Sequence, residues 1–392
     1  MFEQYINRRV TLLDTESAFK TLARAKALES QGRSIIHMEI GQPDFPTPVN
    51  IADAGCAAIK SGFTGYAPTP GYPEVRRAIA EYASAQKNIG TSADEVVVVP
   101  GGKPVIFFTA LMLIEPGDEV IYPNPSFPIY ESCVKYMGGI PVPIPLRPDD
   151  GFRLDLDAFE KSVTDKTKLV ILNNPANPTG GVYTDGDIHK IAEILRHRPG
   201  AFVLSDEIYD RLVYDGKVTS IASIPHMKDR TIILDGFSKT YSMTGWRLGY
   251  GIMHRELAAH MELLAVNSFS CVAAFSQIAA AEALRGSQDS VEEMRASFRE
   301  RRDYLVGALN SIGGVKCNLP RGAFYVFPDI SSFGLTSEEF AGRLLEEAGV
   351  AASSGSSFGS FGEGFIRLSY ANSLENIKIA VDRIASFAKI LS

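Results

Sequence analysis

The segment ILDGFSKTYSMTGWRLGY, Ile233 to Tyr250, carries a single lysine, Lys239, just beyond an apolar run, with Arg247 eight residues on. A lysine amine can form a Schiff base with a carbonyl compound. A guanidinium fork suits a phosphate or a carboxylate. Three other stretches end apolar runs in a similar way. LSDEIYDR places Asp206 and Tyr209 at a strand end, where a buried carboxylate is costly unless it faces a cation. PGGKP sets Gly101, Gly102 and Lys103 between a strand-like run and a helix-like one, an arrangement that can offer backbone N–H groups to an anion. Alone, Gly-Gly after a strand is an ordinary turn. NNPANPTGG adds asparagine donors, among them Asn177, and its plain reading is a Pro-Gly turn. None of these matches the P-loop pattern or the dinucleotide-binding glycine fingerprint, so both readings fail.

One chemistry uses all these groups together. Pyridoxal 5'-phosphate requires a lysine for a Schiff base, a carboxylate facing the pyridine nitrogen, and a phosphate cup. The carboxylate keeps the ring nitrogen protonated, so the ring can draw electrons from a substrate Cα. The lysine amine, once displaced, can move a proton between Cα and the cofactor's aldehyde carbon. Taken singly, the same residues have plainer readings. Phe127 reads as core, Tyr209 as a buried strand-end tyrosine, Arg367 as a surface ion pair, Tyr66 as a packing residue and Lys103 as a solvated helix start.

Such groups need rigid elements behind them. EVVVVP, EVIYP, TKLVILNNP, AFVLSDE and RTIILDG are apolar, β-branched-rich runs. Helix-like stretches lie among them: PVIFFTALMLI, FPIYESCVKYMG and TDGDIHKIAEILRHR. Near-continuous apolar strands separated by helices predict a mostly parallel sheet covered on both faces. Ligands of such sheets sit beyond the carboxyl ends of the strands. We expect a doubly wound α/β domain over residues 49–285. Residues 286–392, with residues 1–48, are expected to form a smaller α+β domain. Helices are predicted from about Glu16 to Gln31, from Val49 to Lys60, and through PEVRRAIAEYASAQ, with Pro73 at its start. SIIHMEIG reads as a short strand, and the prolines of QPDFPTP exclude a helix there. After Arg285 come a long charged helix, SVEEMRASFRERRDYLVGALNSIG, the strand GAFYVFPDI, the helix TSEEFAGRLLEEAG and the strand GFIRLSYA. The low-complexity stretch over residues 353–364 lies between a helix and a strand and reads as an ordered loop rather than a linker.

The 392-residue chain is 45% apolar and 22% charged, ordinary for a soluble globular protein, with a formal charge of −7. No basic stripe points to nucleic acid. No apolar run reaches the roughly 18 residues of a membrane span. The N-terminus lacks a secretory pattern. Cys56, Cys133, Cys271 and Cys317 are far apart and form no C-x-x-C pair, which argues for free thiols, against a metal site and for the cytoplasm.

The lysine segment GFSKTYSMTGWRLG resembles the pyridoxal-phosphate attachment signature of class I/II aminotransferases, the fold type I, aspartate-aminotransferase-like group. The resemblance spans nearly the whole chain through ordered motifs: GQPDFPTP, YAPTPGYPEVRRAIA, PGGKP, YPNPSFPIY, NNPANPTGG, SDEIY, the lysine segment and GFIRLSYA. It implies a fold type I architecture and a pyridoxal-phosphate-dependent, ping-pong transfer of an amino group from an L-amino acid to a 2-oxo acid. It also implies a homodimer with shared active sites. By the same resemblance, Lys239 forms the Schiff base and shuttles the proton, and Asp206 pairs with the ring nitrogen. Tyr209 and Asn177 bond the ring's phenolic oxygen, and Phe127 stacks on the ring. Gly102, Lys103, Ser238 and Arg247 hold the phosphate, while Tyr66 reaches the phosphate of the partner subunit. Arg367 clamps the substrate carboxylate with the Gly41 backbone and Asn177. No metal is implied.

Two positions depart from many relatives. Gly236 stands where a hydroxyl residue often contacts the phosphate, and Ser238 is the candidate replacement. Pro104 removes one N–H beside Lys103. The same fold also hosts β-lyases and cyclopropane-forming synthases, since fold does not fix reaction. A regulator with an aminotransferase-like sensor would need a DNA-binding module ahead of the family resemblance, which begins near residue 16, and is not expected. Lys103 suits a substrate with a distal carboxylate, and Phe127 with its apolar neighbours suits an aromatic one.

Overall fold

The computed structural model describes residues 2–13 and 17–391. Its strands, in chain order, are β1 (Ile36–His37), β2 (Val96–Val99), β3 (Glu119–Asn124), β4 (Ile140–Arg147), β5 (Arg153–Leu154), β6 (Thr167–Asn173), β7 (Phe202–Asp206), β8 (Thr231–Gly236), β9 (Gly249–Ile252), β10 (Tyr325–Val326), β11 (Val350–Ala351), β12 (Ser353–Ser354) and β13 (Ile366–Ser369). The main sheet has eight strands in the order β2-β9-β8-β7-β6-β3-β4-β5. The central pairs β8–β7, β7–β6, β6–β3 and β3–β4 are parallel, and β9 runs antiparallel to both of its neighbours.

Side chains alternate across a strand. Val97 and Val99 therefore pack with helices Lys103–Leu113, Ile129–Met137 and Arg255–Val266 on one face. Val96 and Val98 pack with helices Pro73–Lys87 and Ala274–Arg285 on the other. Helix Asp185–Arg196 covers a further stretch of the sheet through Ile188, Ile191 and Leu195. Coverage of both faces explains why the central strands read as unbroken apolar runs.

A second core joins the ends of the chain. Ile36 of β1 pairs in parallel with Val350 of β11, and Met38 packs in one cluster with Phe298, Leu305, Phe324, Ile377 and Ile384. Helices Asp289–Asn310 and Leu374–Leu391 supply much of that cluster. The stretch over residues 353–364 is ordered, comprising β12 and two short 3-10 turns.

The expected helices lie at Ser17–Ser30, Val49–Lys60 and Pro73–Lys87, and Glu16 falls outside the described residues. SIIHMEIG yields only the two-residue β1. Strand β4 has no strand signature in the sequence, because IPVPIPLR carries three prolines. They alternate, and the Ile140 N–H bonds back to Asp118 beside β3, so the prolines fall on the side facing away from β3, where no ladder donor is needed. Strand β9 is likewise unmarked, since its GYGI lacks β-branched density. No described helix is long and apolar enough to cross a membrane.

Candidate active site

The carboxyl ends of β6, β7 and β8 lie side by side, with Asn173 opposite Asp206 and Asp206 opposite Leu234. The loops leaving these ends open onto a cavity of about 560 Å³. Among the residues proposed from sequence, Gly41, Gly102, Lys103, Phe127, Asn177, Asp206, Tyr209, Ser238, Lys239, Arg247 and Arg367 all line it. Tyr66 does not: it is 94% exposed on the surface of this chain.

Asp206 is buried at the end of β7. Burial pushes its carboxyl from 3.8 up to about 6, against the pull of two donors and of the Lys239 charge. The donors are the Tyr130 hydroxyl, 2.6 Å from Oδ2, and the Ile208 N–H, 3.2 Å from Oδ1. A buried carboxyl so placed is a fitting partner for a protonated ring nitrogen. Tyr130 is not marked as a site residue by its local sequence, although it closes the motif NPSFPIY three residues beyond Phe127. The two rings meet edge to face at 5.7 Å.

Lys239 sits in the short helical turn Phe237–Thr240 that leaves β8. Its Nζ donates to the Gly41 carbonyl and lies 5.8 Å from the Phe324 ring centre. Gly41 has no room for a side chain: a Cβ there would come within 2.1 Å of the Tyr325 hydroxyl. That hydroxyl bonds the Tyr209 hydroxyl at 2.8 Å. Tyr325 is a second residue the sequence reading missed, since GAFYVFPDI reads as a plain core strand.

The anion-binding end is built from backbone. Gly102 stands at the N-terminus of helix Lys103–Leu113, where unpaired N–H groups gather. Pro104 falls in the first turn, where its missing N–H costs no helical bond. Gly101 has φ +83°, and a Cβ on it would lie 2.2 Å from Nη2 of Arg247. The turn thus keeps the guanidinium close to the helix start. Arg247 donates to the Thr244 carbonyl at 2.9 Å, and Lys103 lies 5.8 Å from the Phe127 ring centre. At Gly236 a side chain would strike backbone, since a Cβ there would lie 2.9 Å from the Cα of Gly249 on β9. Close approach of β8 to β9 therefore excludes a hydroxyl residue at that position, and buried Ser238 is the nearby hydroxyl that lines the cavity.

Arg367 on β13 is buried opposite Ser353 of β12. Its guanidinium donates to Asn177 Oδ1 at 3.0 Å and to the Glu39 carbonyl, and it packs between the rings of Tyr325 and Phe358. Its Nε has no partner among the described residues. Asn177 is set in turn by Asn173, whose Oδ1 accepts the Asn177 N–H at 2.8 Å. A fixed buried guanidinium with spare donor capacity can receive a carboxylate.

This arrangement has close counterparts. The model of the family "Aminotransferase class I and II" matches residues 33–384. A probable aspartate/prephenate aminotransferase of Aquifex aeolicus is 41% identical, over 96% of both chains. The structure of the aspartate aminotransferase from Rhizobium meliloti superposes with a TM-score of 0.93 at 36% identity, over 98% of each chain. That of the aromatic aminotransferase from Pyrococcus horikoshii does so at 0.89 and 39% identity, covering 91% of this chain and 96% of that one. With motifs, fold and cavity in agreement from one end of the chain to the other, this chain belongs to the class I and II aminotransferases, and it is a transaminase.

Proposed function

We propose that this transaminase uses pyridoxal 5'-phosphate and alternates between an L-amino acid and a 2-oxo acid in two half-reactions. The observation that carries the reading is the pairing of Lys239 and Asp206 at the ends of adjacent strands, facing one cavity with Arg367. The donor set fits the cofactor: a buried carboxyl raised by desolvation, a glycine cradle against Arg247, and an arginine with an unused N–H. When bound, the cofactor supplies an electron-withdrawing ring that stabilises negative charge at the substrate Cα.

The residues then divide the work. Lys239 supplies the anchoring amine and, once freed, holds and moves the proton at Cα. Asp206 accepts the ring N–H and, by staying ionised, keeps that proton in place. Tyr209 and Asn177 orient the ring oxygen, and Phe127 covers one ring face. The N–H groups at Gly102 and Lys103, the Ser238 hydroxyl and the Arg247 guanidinium hold the phosphate. Arg367, with Asn177 and the Gly41 backbone, binds the α-carboxylate and so aims the Cα–H at Lys239.

Acidic L-amino acids are the proposed donors, with 2-oxoglutarate as acceptor. Lys103 lines the cavity and offers a charge to a distal carboxylate, and the similarity to an aspartate aminotransferase supports this. An aromatic donor is the second reading, favoured by Ile106, Phe127 and Phe358 in the same lining and by the likeness to an aromatic aminotransferase. We further propose a homodimer in which Tyr66 serves the partner's site. Its 94% exposure on this chain leaves its side chain able to reach a second copy. Residues 49–285 are the proposed large domain, with 1–48 and 286–392 the small one. Four free thiols suit the cytoplasm.

A panel of L-amino acids, each mixed alone with the cofactor-loaded enzyme, tests the reading. Aspartate and glutamate are expected to convert the visible absorbance band of bound pyridoxal phosphate to that of pyridoxamine phosphate, and 2-oxoglutarate to restore it. If no amino acid changes the band, the reading fails. If only aromatic amino acids do, the second substrate reading replaces the first.

A further inference from the structure

Behind the cavity lies a buried ion cluster that the transamination chemistry does not use. Lys87 is the last residue of helix Pro73–Lys87, and its side chain is only 3% exposed. Its ammonium touches three carboxylates: Glu207 at 2.9 Å, Asp235 at 3.0 Å, and Asp210. Burial alone would discharge the amine, but the carboxylates of Asp210, Asp235 and Glu207 outweigh that and hold it well above the ordinary lysine range. The cluster is tied down on every side. Glu207 accepts from the hydroxyls of Ser205 and Ser220 at 2.8 and 2.6 Å. Asp235 accepts from the Gly236 N–H at 2.7 Å and from the Tyr250 hydroxyl at 3.1 Å. Oδ1 of Asp210 has no partner among the described residues. Arg211 reaches the Tyr82 hydroxyl and Glu292 nearby.

The placement matters more than the count. Glu207 follows Asp206 in the chain, and its N–H bonds Leu234 of β8 at 2.9 Å. Asp235 lies four residues before Lys239 and holds the backbone where β8 turns toward it. One ammonium therefore joins the ends of the two strands that carry the proposed ring partner and the proposed anchoring lysine. It is also the counter-ion of Glu207, whose charge opposes ionisation of the neighbouring Asp206.

We propose that Lys87 is a positioning residue, which fixes the ends of β7 and β8 and offsets the negative charge behind Asp206, so that Asp206 and Lys239 meet the cofactor in register. The proposal rests on the pyridoxal phosphate reading above. Without Lys87 the buried Glu207 and Asp235 and the partly buried Asp210 face one another without a cation, and the Glu207 charge that opposes ionisation of Asp206 is no longer offset.

The test uses the holoenzyme and three variants: Lys87→Met, Asp210→Asn and the double variant Lys87→Met/Asp210→Asn. The readouts are the dissociation constant of pyridoxal phosphate and the pH midpoint of its visible band. In Lys87→Met, cofactor affinity should fall about tenfold or more and the band's midpoint should move to higher pH. Adding Asp210→Asn removes one excess negative charge, so the double variant should regain much of both losses, which a purely space-filling lysine would not predict. If Lys87→Met does not fold, the double variant is expected to fold and bind the cofactor. Wild-type affinity and midpoint in Lys87→Met overturn the proposal, as does a double variant no better than the single one or equally unable to fold. A wild-type enzyme that shows no visible band with pyridoxal phosphate refutes the cofactor reading instead, before any variant is made.

Discussion

Asp206 is expected to weaken the cofactor-free protein while serving the loaded one, and Asp206→Asn separates the two effects. Folding raises the carboxyl from 3.8 to about 6, chiefly by burial. Below about pH 6 the folded cofactor-free chain therefore holds this carboxyl protonated. Its contribution to stability is complete below about pH 4 and is lost as pH rises through 6, and the loss amounts to about 3 kcal/mol. An asparagine keeps the shape, can still meet the Tyr130 hydroxyl and the Ile208 N–H, and has no charge to desolvate. Cofactor-free Asp206→Asn should thus gain on the wild type between pH 4 and 6, by up to about 3 kcal/mol, and hold that advantage at pH 8. Denaturant unfolding of both proteins at pH 4, 6 and 8 measures it. The same substitution should weaken pyridoxal phosphate binding and collapse transamination, because a neutral amide does not hold a proton on the ring nitrogen. A stability difference that stays constant across this pH range would refute the desolvation argument. Stability gained with cofactor affinity and activity intact would refute the assignment of Asp206 to the ring.

Three further outcomes follow from the geometry. Lys239→Ala should abolish the visible band of the lysine-linked cofactor and lower turnover by about 10²–10⁴-fold or more, and a variant retaining both would rule out Lys239. Arg367→Ala should raise KM for the amino acid with cofactor still bound. Losing a charge-assisted carboxylate contact costs about 2–3 kcal/mol, or roughly 30- to 150-fold, and loss of cofactor instead would mean that Arg367 serves another group. Gly236→Ala should cost about 1–3 kcal/mol of stability in thermal or denaturant unfolding, because its Cβ meets the backbone of Gly249. Unchanged stability would show that β8 and β9 can part without penalty.

The residues that were legible in the sequence share a physical reason. Asp206, Asn177, Gly102 and Lys239 all follow apolar runs whose period and composition declare a buried strand, and the ends of parallel strands must lie together. Residues whose meaning depends on a distant segment were not legible. Tyr130 reads as one more aromatic in an amphipathic helix until Asp206, 76 positions on, is brought to 2.6 Å from its hydroxyl. Tyr325 reads as core until Gly41 and Tyr209 meet it. Gly236 showed only as a missing hydroxyl, whereas the structure shows a place where two strand backbones leave no room for a side chain. Lys87 is the extreme case. At a helix end a lysine is the expected solvated cap, favoured by the helix dipole. Only the convergence of β7 and β8 on that helix end turns it into a buried counter-ion. Sequence patterns record the period of an element and the chemistry at its end. They do not record which helix terminus closes the back of a site, and that is where the structure adds a cation behind the Asp206 carboxyl.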